Sequence, residues 1–199
     1  MNVLICGDSF SADWQVKYPK QYGWPNLLVE HYRVTNIAQA AVSEYKILQQ
    51  IKSVDLGKFD AVIISHASPN RVHCSRHPVH ADDPLHKDSD LIYRDLQDHS
   101  DADSKLACSY FERYFELDYY SEVTQLLCMD ILNRLGEYPD LNQLHLVNYH
   151  KNNPYNFLPS YNINSVFSKH AGLMNHFNDT GNKQVFDKVN GWLQSVNQV

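Results

Sequence analysis

Strand-like and helix-like segments alternate along the first 70 residues of the chain. Two apolar runs, 3–6 and 60–65, have the character of buried strands, and 32–38 is a shorter strand between them. Amphipathic segments at 24–30 and 44–54 separate these strands and have helical spacing. Such an alternation requires a parallel sheet with right-handed crossovers. The sequence therefore predicts an α/β fold with three α/β/α layers around a mostly parallel, flavodoxin-like sheet of four or five strands.

The second half of the chain supplies further elements. They are a helix at 105–135 with a break near Asp118 and a C-cap at Gly136, a fourth core strand at 144–149, a loop at 150–170 and a last helix at 179–196. Residues 72–104 lack apolar periodicity, and we expect them to form a long irregular insertion, or lid, over the carboxyl edge of the sheet. A length of 199 residues fits one domain, 1–199.

Composition limits the classes of partner. The net charge of −6 argues against a general affinity for nucleic acid or for anionic membranes. The four cysteines form no Cys-x-x-Cys pair. This pattern is typical of proteins in a reducing compartment rather than of a disulfide framework. The first residues contain no basic segment followed by a long apolar run, so we expect no signal peptide and no membrane span. The sequence predicts a cytoplasmic protein and leaves its oligomeric state open.

Gly7-Asp8-Ser9 follows the first predicted strand directly. In an open α/β sheet ligands bind beyond the carboxyl ends of the strands, which makes the Ser9 hydroxyl a candidate nucleophile. The alternative is a turn whose side chains only cap the next segment. His176 lies just before the last helix, where Asn178 is a suitable N-cap. A serine and a histidine at one sheet edge supply the nucleophile and the general base of acyl transfer.

These segments resemble the SGNH (GDSL-type) family of esterases, lipases and acetylhydrolases. Residues 7–10, Gly-Asp-Ser-Phe, are similar to its first block, and 176–182, His-Phe-Asn-Asp-Thr-Gly-Asn, to its last block. Residues 36–43 are similar to the second block, and residues 65–71 lie where the third block belongs. The resemblance extends over the chain from residue 2 to about residue 196 through four short blocks, of which the outer two are the more specific.

The resemblance implies a role for several residues. Ser9 corresponds to the nucleophile and His176 to the base. The oxyanion hole would consist of the backbone N–H groups of Ser9 and Ala41 with the side chain of Asn70. Ala41 stands where the family has a glycine. Asp8 is a possible supporting residue.

One departure concerns the group that orients His176. The family has an aspartate three residues before the histidine, and this chain has Leu173 there. Three explanations remain open. In the first, a backbone carbonyl near Leu173 holds the ring in a Ser–His dyad. In the second, a carboxylate such as Asp13 or one from 82–103 replaces the aspartate. In the third, the site is degenerate. Asn178 is a further supporting residue because it fixes the loop.

A second group of candidate ligands lies in the insertion. The residues are His73, Cys74, His77, His80, Asp82, Asp83 and His86. Cysteine and histidine side chains at such spacing can hold zinc, and metal-dependent hydrolysis is one hypothesis. The spacing matches no familiar zinc module, and the alternative interpretation is a solvated lid. We expect no metal here.

The sequence thus predicts a serine ester hydrolase that removes a small acyl group, such as acetyl, from a carbohydrate or metabolite ester, without a cofactor. Four aromatic residues in predicted loops at the carboxyl edge, Tyr18, Tyr22, Trp24 and Tyr155, can stack on a sugar ring. The alternative function is a catalytically degenerate domain that binds a carbohydrate or a protein.

Overall fold

The computed structural model describes residues 1–148 and 154–198 of the chain. Its strands are β1 (Asn2–Gly7), β2 (Arg33–Asn36), β3 (Ala61–Ser65), β4 (Arg71–Val72), β5 (Leu91–Ile92), β6 (Asn142–Val147), β7 (Tyr161–Asn162) and β8 (Ala171–Met174). Its helices are α1 (Trp24–Leu28), α2 (Glu44–Lys52), α3 (Tyr93–Leu96), α4 (Ala102–Arg113), α5 (Leu117–Gly136), α6 (Asn164–Phe167) and α7 (Asp179–Val196). Within this part of the chain no helix combines the length and the apolar character needed to cross a membrane.

Five parallel strands form the central sheet in the order β2-β1-β3-β6-β7. Counting only these strands along the chain, the order is 2-1-3-4-5, which is the flavodoxin-like arrangement of a doubly wound sheet. Alternate side chains of each strand point to opposite faces. Val3, Ile5 and Ile63 pack against α1 and α7, whereas Leu4 and Ile64 pack against α2 and α5. Helices therefore cover both faces, and the α/β prediction with a parallel sheet is confirmed.

The insertion contains more structure than the sequence predicts. β4 and β5 pair antiparallel as a short ribbon, with Arg71 opposite Ile92 and Val72 opposite Leu91. α3 follows the ribbon directly, and α4 begins within the predicted insertion. Segments of two to four residues are too short to show a period, which is why the interpretation as irregular structure is wrong for them.

Three other boundaries differ from the prediction. The loop predicted at 150–170 contains β7 and α6, and its residues 150–153 lie outside the described part of the chain. The predicted helix at 105–135 is two helices, α4 and α5, with the break at 114–116 rather than at Asp118. Gly136 is the last residue of α5, and the C-cap is Glu137. A glycine near a helix end marks the end only to within a residue or two.

A buried polar network joins α2 to the sheet. Glu44 Oε1 lies 2.7 Å from Nδ1 of His66, and its Oε2 accepts from Tyr155 Oη at 2.7 Å. His66 Nε2 lies 2.9 Å from Nδ1 of His145 on β6. When the His66 ring is neutral and donates its Nδ1–H to the carboxylate, its Nε2 atom accepts from His145 Nδ1–H. Burial, with a smaller contribution from His66, lowers the pKa of His145 to about 3.

The network makes the stability of the fold depend on pH. The unfolded chain takes up a proton at His145 below about pH 6.5, whereas the folded chain does not until about pH 3. The free energy of unfolding therefore falls as the pH falls through this window. We expect His145→Asn, whose amide can still donate to His66, to flatten that dependence by about 1.4 kcal/mol per pH unit between pH 6 and 4 in denaturant titrations. His99→Asn, which removes an exposed imidazole, is the matched control. Equal slopes in wild type and His145→Asn would contradict the assignment.

Candidate active site

Ser9 and His176 meet at the carboxyl edge of the sheet. The Oγ atom of Ser9 lies 2.7 Å from Nε2 of His176, although the two residues are 167 positions apart. Ser9 follows β1 through a sharp turn at Gly7, whose φ is 142°. A Cβ atom at Gly7 would lie 2.5 Å from the carbonyl oxygen of Ser65, so the turn requires glycine. The two residues that the sequence pairs as nucleophile and base are within hydrogen-bonding distance.

Side chains from other elements hold the backbone of the Ser9 turn. The carbonyl oxygen of Ser9 accepts from Trp14 Nε1 at 3.0 Å and from Asn175 Nδ2 at 3.5 Å. Asn175 Nδ2 also donates to the carbonyl of Ala12 at 2.9 Å. Trp24 Nε1 donates to the carbonyl of Phe10 at 2.7 Å. Asn175 immediately precedes His176, so the same contacts tie the histidine loop to the serine turn.

The loop that carries His176 has an unusual backbone. Asn175 and His176 have φ values of 48° and 62°, in the left-handed region that L residues avoid. Asn178 then caps α7, accepting from the N–H of Gly181 at 2.9 Å, and this predicted N-cap is confirmed. Asn182 donates from Nδ2 to the carbonyl of Met174 at 3.1 Å. The bend and the cap together set the direction of the imidazole.

Aromatic rings surround the His176 imidazole. The ring centroids of Phe10, Trp14 and Phe167 lie 4.5, 5.7 and 6.4 Å from that of His176. The Trp14 and Phe167 rings meet it nearly edge-on, at 79° and 87°. Packing of this kind restricts rotation of the imidazole without a hydrogen bond.

Neither Leu173 nor Asp13 is hydrogen-bonded to the ring of His176. Leu173 is exposed, and its carbonyl accepts from the backbone N–H of His176 at 3.1 Å rather than from the ring. Asp13 instead accepts from Gln15 N and Asn26 Nδ2. Among residues 1–148 and 154–198, none accepts a hydrogen bond from Nδ1 of His176. In the described chain the ring is positioned by its aromatic neighbours.

Several charges act on His176. Burial lowers the pKa of its imidazole. The negative charge of Asp8 acts in the opposite direction, and the charges of Arg71 and His86 lower the pKa further. His176 is therefore neutral near pH 7, the protonation state that a general base needs.

Asp8 is almost completely buried and fully hydrogen-bonded. Its Oδ1 accepts from Ser65 Oγ at 3.0 Å and from the N–H of Phe10 at 3.1 Å. Its Oδ2 lies 2.9 Å from Nη2 of Arg71. The carboxylate thus fixes the residues on both sides of Ser9 and faces a guanidinium at the edge of the site.

The backbone N–H groups of two residues at the site, Ser9 and Ala41, are those predicted to form an oxyanion hole. Neither the N–H of Ser9 nor that of Ala41 is hydrogen-bonded within the described chain. Ala41 has a φ of 60°, so it adopts the left-handed backbone that its glycine counterpart would take more readily. Unpaired backbone N–H groups are the type of donor from which oxyanion holes are built. Asn70, the third expected donor, is exposed and lines a groove with Ile92 and Phe111, and its role stays a prediction.

The histidine-rich segment divides into two groups. His73 Nδ1 and the N–H of Cys74 both bond Oδ1 of Asp90. His77 and His80 instead come together with Asp95, and one ligand atom of each lies within 4.8 Å of the others. Asp90 and Asp95 were not among the metal ligands predicted from the sequence.

The His77 geometry bears on metal binding. Its Nδ1 accepts from the N–H groups of Val79 and His80, at 3.1 and 3.3 Å. The proton of the neutral ring is then on Nε2, which is buried and has no partner in the described residues. Neither nitrogen offers a lone pair to a metal in this arrangement. A second buried group, Glu44, His66 and Cys128, also has ligand atoms within 4.8 Å of one another, but the Glu44 carboxylate is already hydrogen-bonded.

The aromatic candidates for sugar stacking are not equivalent. Trp24 and Tyr155 are fully buried, so the prediction that they stack on a ligand is wrong. Tyr18 is half-buried and stacks on Trp14 with centroids 6.2 Å apart, and Tyr22 is exposed. Only these two retain a face toward solvent.

Four residues that the structure places around Ser9, His176 and the Ala41 turn were not singled out from the sequence, although one of them lies in the 82–103 range of candidate carboxylates. They are Trp14, Arg71, Asp90 and Asn175. Arg71 is the last residue of the 65–71 block and Asn175 directly precedes the 176–182 block, so the blocks indicate the correct loops. Residue type alone does not show which side chain of a loop turns inward.

Protein-family models and curated protein sequences give no match to the chain.

The left-handed backbone at Ala41 predicts an unusual response to glycine. An L residue in this conformation costs about 1–2 kcal/mol, which Ala41→Gly removes. Loss of the buried methyl and the greater freedom of the unfolded chain offset that gain by a similar amount. We expect the free energy of unfolding of Ala41→Gly to lie within about 1 kcal/mol of the wild-type value. The control Ala40→Gly, fully buried with negative φ, should lose about 1.5 kcal/mol. Equal losses in denaturant titrations would mean that Ala41 is not strained.

Proposed function

We propose that the chain is a serine ester hydrolase of the SGNH type, in which Ser9 and His176 act as a dyad. The observation that carries the proposal is the 2.7 Å contact between Ser9 Oγ and His176 Nε2. It is supported by the N–H groups of Ser9 and Ala41, which have no acceptor among the described residues, by the neutral state of His176, and by the position of the pair at the carboxyl edge of a parallel sheet.

The proposed reaction proceeds through an acyl-enzyme. The Ser9 Oγ attacks the ester carbonyl carbon while His176 Nε2 takes the hydroxyl proton. The negative oxygen of the tetrahedral intermediate accepts from the N–H groups of Ser9 and Ala41. His176 returns the proton to the departing alcohol oxygen, which leaves acyl-Ser9. Water then attacks the acyl group, with its proton passing through His176, and releases the acid and free Ser9.

The proposed substrate is an ester of a small acyl group, such as acetyl, on a carbohydrate or a metabolite. Ser9 is only 5% exposed, and the rings of Phe10 and Trp14 stand close to the His176 imidazole. A confined position favours a short acyl group over a long one. Neither step of the proposed mechanism uses a cofactor.

A binding module remains the second candidate function. It is favoured by the lack of a described acceptor for His176 Nδ1, because a triad carboxylate normally fixes the tautomer and stabilises the imidazolium. The loss of that carboxylate costs a triad enzyme about 10⁴-fold in kcat. The same observation makes the proposed hydrolase a slow one.

Removal of the nucleophile separates the two functions. We expect Ser9→Ala to reduce hydrolysis of p-nitrophenyl acetate to the background rate and to prevent labelling by a fluorophosphonate probe. Ser11→Ala is the matched control, since its buried Oγ has no partner in the described chain and its removal breaks no described hydrogen bond. Absence of labelling in folded wild-type protein would support the binding module. Unchanged turnover in Ser9→Ala would exclude the proposed mechanism.

The lowered pKa of His176 sets the pH profile. His176 is active only when neutral, so kcat/KM should decline on the acid side with a midpoint below about 6.5, the ordinary histidine value. The rate should be constant from there through neutral pH. A midpoint above that value, measured with p-nitrophenyl acetate over pH 4–8 after correction for any unfolding, would contradict the electrostatic environment described above.

A further inference from the structure

The β4–β5 ribbon contacts the turn that carries Ala41 at three consecutive residues. The N–H of Asp90 donates to the carbonyl of Ala41 at 3.0 Å. Arg71 Nη1 donates to the carbonyl of Val42, and Asp90 Oδ2 accepts from the N–H of Ser43 at 2.7 Å. Arg71 and Asp90 therefore hold the backbone of this turn from one side.

Arg71 also reaches the nucleophile turn. While Nη1 bonds Val42, Nη2 lies 2.9 Å from Oδ2 of Asp8, which directly precedes Ser9. The Arg71 side chain is 9% exposed, and its Nε has no partner in the described residues. A planar guanidinium with two bonded ends is a rigid link, which a lysine ammonium is not. One side chain thus sets the distance between the Ser9 turn and the Ala41 turn.

Asp90 is anchored on the opposite side by α2. Its side chain is completely buried, and Oδ1 lies 2.9 Å from Lys46 Nζ. Although burial raises the pKa of Asp90, hydrogen bonds from Ser43 and Lys46 hold it below its ordinary value. The carboxylate is therefore charged, and its bond to Ser43 N–H is charge-assisted.

Ala41 needs such support because its backbone is strained. A left-handed L residue persists only where its surroundings over-determine the conformation. The bonds from Arg71 and Asp90 to residues 41–43 supply that constraint. The Ala41 N–H has no acceptor in the part of the chain that the structure describes.

We propose that Arg71 and Asp90 are positioning residues, which hold the Ala41 N–H toward the carbonyl oxygen of an ester bound at Ser9. This inference rests on the proposed hydrolase function. In this proposal, residues at the β4–β5 ribbon set the geometry of the active site. Arg71 has a second effect, because its charge acts on His176 together with those of Asp8 and His86.

The two effects give different kinetic signatures. Loss of an oxyanion donor lowers kcat with little change in KM, typically by about 10²-fold or more. Loss of the Arg71 charge, which also leaves Asp8 uncompensated, raises the pKa of His176 and moves the acid limb of the rate profile to higher pH. Asp90 lies outside the set of charges that act on His176, so it affects only the first parameter.

The experiment compares Arg71→Met, Arg71→Lys and Asp90→Asn on p-nitrophenyl acetate. We expect Arg71→Met and Asp90→Asn each to lower kcat about 10²-fold, and their combination to lose less than the product of the two. Arg71→Met should shift the acid limb upward, Arg71→Lys should restore its position with a partial recovery of kcat, and Asp90→Asn should leave it in place. The controls are Arg94→Met and Asp98→Asn, which alter exposed charges of the same insertion.

A second measurement does not depend on activity. Amide hydrogen exchange at Ser43 and Asp90, whose N–H groups form the bonds to and from this turn, should accelerate at least about tenfold in folded Arg71→Met, while exchange in β3 stays unchanged. If wild-type protein hydrolyses no ester, the proposed function fails, and the exchange data still decide whether Arg71 holds the turn. Variants that keep kcat within twofold of wild type, or protected Ser43 and Asp90 amides in Arg71→Met, overturn the inference.

Discussion

The hydrogen bond between Ser9 and His176 determines how the two ends of the chain must be arranged. Ser9 is fixed by the sheet, because it follows β1 at the steep turn of Gly7. His176 comes from a loop before α7 that has no strand of the central sheet to hold it. Its position depends instead on Asn175 and Asn178, one bonded to the serine turn and the other capping the helix. Amide side chains therefore perform the alignment that strand pairing performs for Ser9.

The groups that orient His176 and act on its charge differ from those around the histidine of a catalytic triad. A carboxylate on Nδ1 orients the ring and stabilises its protonated form. Here the rings of Phe10, Trp14 and Phe167 restrict orientation, and the Asp8 charge favours the protonated form from a distance. Burial and Arg71 oppose that effect. The arrangement favours a well-placed, weakly basic imidazole.

The sequence predicts the parallel sheet and the Ser9–His176 pair because both leave local signals. Buried strands are apolar runs, and Gly7 and Asn178 mark turns whose backbone demands are known. The ribbon β4–β5 and strand β7 leave none, since two residues have no period. Asn70 and Arg71 illustrate the limit within the site. The block identified the loop, but direction alternates along an extended chain, and Arg71 turns inward beside an exposed Asn70.

Strain connects the site to the energetics of the fold. In the described chain the residues other than glycine with positive φ are Ala41, Asn175 and His176, and all three lie at the site. At about 1–2 kcal/mol each, somewhat less for asparagine, they cost a sizeable part of the 5–15 kcal/mol by which a domain is stable. Strain of this size persists only if hydrogen bonds elsewhere over-determine the turns. The buried contacts of Asp90 and Asn175 provide such hydrogen bonds. The geometry of the site therefore depends on the insertion and on the loop that carries Asn175.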